Sequence, residues 1–386
     1  MKGLIQSLFF FLICQGLFAQ ETKQVDYSNV DRIALALPYT ISTQPLLMAQ
    51  YFKRNFKGEV ERSRAIFAWI TSRIVYDPNF DMVARQNEAH GMKVAYVLKE
   101  RSGVCENYAQ LFDTLARLSG LRSYVLRGYT MIDGRIDPLP HAWNAIEIDG
   151  AFYHMDATWA AGYVQQGRFI RKQADQYFMA PPAHIIRSHM PFDPMFQLLE
   201  HPQSHSDFER HLIASSGKGE IFDFRDSLDL HDSRIYLDQI KARSKRMAHH
   251  GLVFKMSKDR WEALEQEILV LEHNQNTTFF NEATEEFNEG VNGFNAYVNY
   301  LNQGFLPARS DKEIQNMLSS TWSHFNRYQE EIEHVQTTDE SMLGLMRDIQ
   351  RQEEEVLSQL ADYQNWLNKY LEKGTVGRKL MFSTGY

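Results

Sequence analysis

Cysteine is almost missing from this chain: 386 residues carry two, Cys14 and Cys105. A disulfide framework is thereby excluded, and Cys14 lies in an N-terminal apolar stretch, so Cys105 is the single thiol of the folded protein. Basic excess is missing too. Lys and Arg number 41 against 49 Asp and Glu, a formal net charge of −8. That balance argues against nucleic acid or an anionic lipid surface as partner. Beyond the N-terminal stretch no apolar run reaches the length of a membrane span. Four histidines, His184, His189, His201 and His205, lie close together but in loop-like sequence without cysteine or regularly spaced carboxylates, so neither metal nor any other cofactor is expected. What remains is ordinary globular material, 44% hydrophobic and 23% charged, with enough apolar surface for a core.

The first twenty residues, MKGLIQSLFFFLICQGLFAQ, read as a signal peptide. Lys2 supplies the positive start, Leu4 to Leu17 is mostly apolar, and Gly16 and Ala19 are small residues near a cleavage point. Residues 1–19 are expected to be removed near Ala19. A lipid anchor at Cys14 is disfavoured by Ile13, which occupies a position that needs a small residue. The mature chain is then expected in the periplasm or outside the cell, with no transmembrane anchor. Loss of Lys2 takes its net charge to −9. A lone cysteine in an exported chain is an intermolecular bridge, a buried inert thiol or a reactive one.

Along the chain the character changes once. Residues 20–30 are polar and expected to form a loose arm. From 31 to 204 helix and strand signals mix. EVERSRAIFAWITSRIVYD (59–77) places Ala65, Ile66, Trp69 and Ile70 at helical spacing and leaves as a short strand, Ile74 to Tyr76. A second helix follows around Cys105, with Ser102 as the expected N-cap and Gly120 just past its end. RSYVLRGYT (122–130) reads as a strand, and a proline-dotted stretch at 181–202 as a wrap over the domain. Residues 205–386 show long seams instead: Trp261, Leu264, Ile268, Leu271; Phe280 to Leu301; Ile314 to Val335; Met342 to Tyr370. Such spacing without strand signals predicts an all-α bundle or coiled-coil hairpin. It also offers a surface through which the chain could self-associate. Asp232 is the expected cap and Gly251 the stop of a further helix, and GFLPARSD (304–311) a break between two others.

Cys105 sits in the first turn of its helix, where free N–H groups and the helix dipole favour a thiolate. An imidazole would strengthen this, and a third group should orient the imidazole. HAWNAIEIDGAFYHMDATW (141–159) supplies both. Asp149-Gly150 suits a type I′ hairpin turn, which pairs Ile148 with Ala151 and, by extension, His141 with Thr158. Ala142, Ile146, Ile148, Tyr153 and Met155 then share an apolar face, with Asn144 as its exception. His141, Trp143, Glu147, His154, Asp156 and Thr158 share the other. His141 and Asp156 become diagonal neighbours within imidazole–carboxylate reach, while His154 reads as a surface residue.

Three stretches, GVCENYAQLF, HAWNAIEIDG and FYHMDATW, resemble in kind and order the transglutaminase-like superfamily, relatives of the papain-type thiol enzymes. RAIFAWITSRIVYD and DQYFMAPPAHIIRSHMPFDPMFQLL are similar to members related to the kyphoscoliosis-type peptidase. The resemblance covers roughly residues 30–200. It implies an α+β fold with helices on an antiparallel sheet and a Cys105–His141–Asp156 triad for acyl transfer on peptide or protein amides. It further implies an oxyanion hole of the Cys105 N–H plus a second donor. Trp69 lies where animal transglutaminases place a donor tryptophan, but its place on a helix seam reads as core. The superfamily also includes catalytically silent binding modules. Two function classes therefore stay open: a thiol acyltransferase (peptidase, deamidase or crosslinking enzyme), and a peptide- or glycan-binding scaffold assembled by the helical half.

Overall fold

A computed structural model describes residues 25–80, 89–211 and 221–383; the expected signal peptide lies outside them. The chain divides into two compact units, Met1–Leu228 and Asp229–Tyr386.

The first unit opens with helices α1 (Ser28–Leu35), α2 (Pro45–Asn55) and α3 (Glu59–Arg73). The expected arm ends earlier than residue 30, because Val30 and Ala34 on α1 bury their side chains in the core. After α3 the chain forms β1 (Val75–Tyr76), then α4 (His90–Glu100), β2 (Ser102–Gly103) and α5 (Cys105–Leu118). Strands β1 and β2 pair in parallel, Tyr76 opposite Gly103. Ser102 is therefore held in that pairing, and Val104 rather than Ser102 is the N-cap of α5. Gly120 does end this helix, at φ +81°.

A sheet follows, built from β3 (Ser123–Ile132), β4 (Arg135–Ile148), β5 (Ala151–Met155) and, later in the chain, β8 (His189–Pro191). Its order is β5-β4-β3-β8 and every pairing is antiparallel. Between β5 and β8 lie α6 (Ala157–Ala161), the small hairpin β6 (Gly162–Gln165) and β7 (Arg168–Arg171), and α7 (Pro182–Ile185). The β4–β5 turn has Asp149 at φ +50° and Gly150 at φ +78°, the two left-handed residues a type I′ turn requires. Its register is the expected one, Ile148 opposite Ala151 and Asn144 opposite Met155. The ladder stops there. Asp156 leaves the sheet as the N-cap of α6, so His141 has no strand partner at Thr158.

Both sheet faces are covered. Ile146, Ile148 and Met155 join the core formed with α3 and α5. Asn144, the polar exception on that face, donates from Nδ2 to the Ala109 carbonyl of α5 at 2.9 Å. On the other face Leu126, Trp143, Ala145 and Phe152 are sealed by Met195, Phe196 and Leu198, and by Phe224 and Leu228 of the helix α9 (Phe224–Ser233). The preceding α8 (His205–Glu209) buries His205 and Phe208, and both rings lie against Tyr129 of β3. These contacts carry the first unit to Leu228, past the expected division after residue 204.

The second unit contains α10 (Tyr236–His250), α11 (Lys255–Asn302), α12 (Asp311–Ile332), α13 (Glu340–Leu371) and α14 (Thr375–Ser383). The two expected seams at 261–271 and 280–301 lie on one unbroken helix, α11. Ile235, not Asp232, is the N-cap of α10, because residue 232 is still within α9; Gly251 ends α10 at φ +102°. Ser310 caps α12 through the Glu313 N–H, as its Ser-x-x-Glu spacing favours. Helices α11 and α12 run antiparallel: Asn276 bonds Gln336, Glu286 meets His324, and a Cβ on Gly290 would lie 2.9 Å from the Phe325 ring. Phe287, Leu318, Phe325, Leu360 and Leu367 share one core.

Candidate active site

The N-terminus of α5 is fastened before any chemistry is considered. The Asp77 N–H donates to the Gly103 carbonyl at 3.0 Å, and the Tyr108 hydroxyl donates to the Ile74 carbonyl at 2.8 Å. The Val104 N–H donates to Asn107 Oδ1 at 3.1 Å. Cys105 is thus the first residue of a helix tied to the β1 segment on two sides. Its side chain is half-buried and free of any disulfide. The neighbouring Glu106 is paired with Arg127 of β3, whose Nε donates to Oε2 at 3.1 Å. Burial would push the Glu106 carboxyl up, but Arg127 and the Gln110 amide bring it below the usual carboxylate range.

The structure brings the three expected residues together. His141 Nε2 lies 2.8 Å from Asp156 Oδ2, and the Cys105 thiol is near enough to the same imidazole to help hold its pKa up. Asp156 is oriented by its cap. Its Oδ1 accepts from the Thr158 and Trp159 N–H groups at 2.8 and 3.0 Å, which turns Oδ2 toward His141. Departure from the sheet therefore does what the extended register was expected to do. Because Asp156 Oδ2 can only accept when ionised, His141 presents Nε2–H to it and keeps Nδ1 for the thiol.

Electrostatics separate the charges cleanly. Burial would drive the His141 imidazole down, but the Asp156 carboxylate, and then the Cys105 thiol, outweigh burial and hold it at about 10. Burial would likewise raise Asp156, and the charge and hydrogen bond of His141, followed by His189, hold it well below the usual carboxylate range. At neutral pH the site holds an imidazolium beside a buried carboxylate, the pair a thiolate needs as its neighbour.

Two histidines behave differently from expectation. His154 is not on the surface: it is 1% exposed, and its Nδ1 accepts from Trp143 Nε1 at 2.9 Å. Burial, and then the proximity of His189, push it down to about 3. Trp143, so pinned, stacks on His141 with ring centres 5.8 Å apart and planes 17° from parallel. Gly128 of β3 makes room for this ring, since a Cβ there would fall 2.7 Å from Trp143 and 2.1 Å from the Met190 carbonyl oxygen.

His189, one of the four loop-like histidines, lies inside the site. Its Nε2 is 3.0 Å from the same Asp156 Oδ2. Its three-residue strand is too short to show a period, and its pairing partner Thr130 is distant in sequence. His184 and His201 show no such contact, and His205 bonds the Tyr129 hydroxyl through Nδ1 at 2.6 Å. One atom from each of His141, Asp156 and His189 lies within 4.8 Å of the others, so by donor type and spacing this trio could hold a metal ion. Trp69 is buried in the core with the Arg101 guanidinium over its ring.

Known proteins resemble part of this chain. The family model described as the transglutaminase-like superfamily matches residues 48–157, a span that contains Cys105, His141 and Asp156 and stops before His189. Kyphoscoliosis peptidase of Homo sapiens is 31% identical over 169 residues, 41% of this chain and 25% of that protein. Hillarin of Drosophila melanogaster is 24% identical over 207 residues, 49% of this chain and 25% of its own length. The Lim and transglutaminase domain protein ltd-1 of Caenorhabditis elegans is 24% identical over 202 residues, 48% of this chain and 27% of its own. The matches thus span about a quarter of these relatives. Residues 48–157 carry a transglutaminase-like domain, on an antiparallel sheet with helices and followed by a mostly helical region.

Proposed function

We propose that this chain is an exported thiol acyltransferase acting on peptide or protein amides. The observation that carries the reading is the His141 Nε2 to Asp156 Oδ2 contact of 2.8 Å, with Cys105, at a helix N-terminus, close enough to act on the same imidazole. In the reaction, the Cys105 thiolate, its proton already carried by His141 Nδ1, attacks the amide carbonyl carbon. Collapse of the tetrahedral intermediate breaks the C–N bond, and His141 returns that proton to the leaving amine. The thioester is then cleaved by water, giving peptidase or deamidase activity, or by a primary amine, giving a crosslink. The Cys105 N–H supplies one oxyanion donor. Asp156 holds the imidazole in the required tautomer and offsets its charge.

Export through cleavage near Ala19 is part of this proposal, and it is consistent with a chain in which no helix among the described residues is long and apolar enough to cross a membrane. The test is an unbiased peptide screen with the full mature chain, with and without an added primary amine, read by mass spectrometry. Hydrolysis or amine incorporation that disappears in Cys105→Ala supports the reading. Peptides bound but unchanged, equally by wild type and Cys105→Ala, would favour a binding scaffold.

A further inference from the structure

Asp156 is used to capacity. An ionised carboxylate offers about four acceptor directions. Thr158 and Trp159 N–H groups occupy Oδ1, and His141 and His189 occupy Oδ2 at 2.8 and 3.0 Å. The acyl-transfer mechanism uses His141 and the cap but leaves His189 unexplained. His189 is itself fully buried. Facing an acceptor-only oxygen, it must present Nε2–H, which leaves Nδ1 to accept from the Ser188 hydroxyl at 2.8 Å. Its ring is caged by Trp159 at 4.5 Å, Trp143 at 5.2 Å and His141 at 5.6 Å between centres. Its backbone is pinned by pairing with Thr130 and by the Met131 N–H donating to the Ser188 carbonyl at 2.9 Å. This is a rigid, neutral donor aimed at the oxygen that orients the catalytic imidazole.

The consequence for His141 is specific. With one donor on Oδ2, the carboxylate plane is fixed by its cap alone. A second donor on that oxygen fixes the plane from both ends and keeps the carboxylate ionised, so Nδ1 of His141 stays directed at Cys105. A histidine that merely filled space would need only ring volume; this role needs an N–H and needs Asp156.

We propose that His189 is a positioning residue of the thiol site, acting through Asp156 to hold His141 toward Cys105. The proposal rests on the acyl-transfer reading above.

The experiment follows the rate of Cys105 alkylation by iodoacetamide at pH 7, by peptide mapping of the full mature chain, with folding checked by circular dichroism. Variants are His189→Leu, His189→Gln, Asp156→Asn, the His189→Leu/Asp156→Asn double variant, and His141→Ala as the reference. We expect His189→Leu to slow alkylation about tenfold, His189→Gln, which keeps an N–H near the position of Nε2, to stay within about threefold of wild type, and the leucine to add nothing in the Asp156→Asn background. Wild-type rates in His189→Leu alongside a slowed His141→Ala would overturn the proposal and leave the acyl-transfer reading standing. So would a leucine effect undiminished in the double variant. If His189→Leu fails to fold, His189→Gln decides, and a rate as low as that of His141→Ala overturns the proposal. Equal rates in wild type and His141→Ala would remove the reading beneath it.

Discussion

The two units bury polar groups for different ends. In the first, His141, Asn144, His154, Asp156, His189 and Gln197 are all buried, and three of them, His141, Asp156 and His189, bond to one another. In the second, the buried polar side chains are mainly local fasteners. Asn276 donates to the Gln336 carbonyl at 2.9 Å and accepts from the Gln336 N–H at 2.8 Å, tying α11 to the chain just past α12. Glu353 accepts from Gln329 at 2.9 Å, and burial pushes its carboxyl up. A buried charge is costly unless paired. At Asp156 the first unit meets that cost with two imidazole partners, whereas among the described residues of the second burial leaves the Glu353 carboxyl easier to protonate.

The sharpest contrast comes from the nucleophile. Cys105→Ala should abolish turnover of any substrate found, while the fold of both units persists, since alanine is small and suits a helix; circular dichroism alongside the assay separates the two effects. Asp156→Ala should leave measurable activity, reduced about 10²–10⁴-fold, because it orients rather than bonds. It should also destabilise the first unit by about 1–3 kcal/mol, since the cap is lost and two buried imidazoles lose their acceptor. Leu318→Ala in the helical unit is the converse. Leu318 is fully buried, so the change should cost about 2–5 kcal/mol of that unit's stability with little effect on the alkylation rate of Cys105. Denaturant unfolding followed by segment-resolved hydrogen exchange would read both.

Smaller, and different in sign between groups, is the response to pH. His154 is held down to about 3 and His189 is also lowered. Their neutral forms favour the fold above the ordinary histidine value of about 6.5, and that contribution is lost as pH falls from there toward 3. Asp156, also lowered, adds to the loss below about 4. His141 is raised to about 10, so its contribution is full below about 6.5 and is lost as pH rises toward 10. The first unit should therefore be most stable near pH 6.5 and weaken on both sides. In the second unit the lowered carboxyls Glu286 and Asp339 are half-buried and Asp311 is exposed, all of them open to solvent screening, so its acid response should be slight and confined below about pH 4.5. Hydrogen exchange in the two units across pH 4 to 10 would show whether the slopes part in this way.

Local chemistry explains what could be read in advance. The Asp149-Gly150 turn fixes the β4–β5 register, and the register fixes which side chains share a face, so the apolar face of the hairpin was legible; the nearness of His141 and Asp156 was expected from that register but comes from the cap Asp156 forms on α6. The helical second half was legible too, because its seams are long. What escaped depended on distant segments. Met195, Phe196 and Leu198, with Phe224 and Leu228, cover the sheet's second face, where His154 is a buried acceptor for Trp143 rather than the expected surface residue. His189 enters the site through three residues of strand whose partner lies on β3; its neighbours Ser188 and Pro191 give no periodic signal. The end of β5 was missed for a similar reason: Asp156 suits a helix cap as well as a strand, and the cap wins because α6 supplies two free N–H groups.

The central claim is that Cys105 owes its reactivity to His141, and it is tested most directly by the alkylation rate of the mature chain from pH 5 to 9. The wild type should already react fast at about pH 6, whereas His141→Ala should be slow there and gain rate only toward the range of an ordinary free thiol, about 8.5. Superimposable pH profiles for the two proteins would contradict the account.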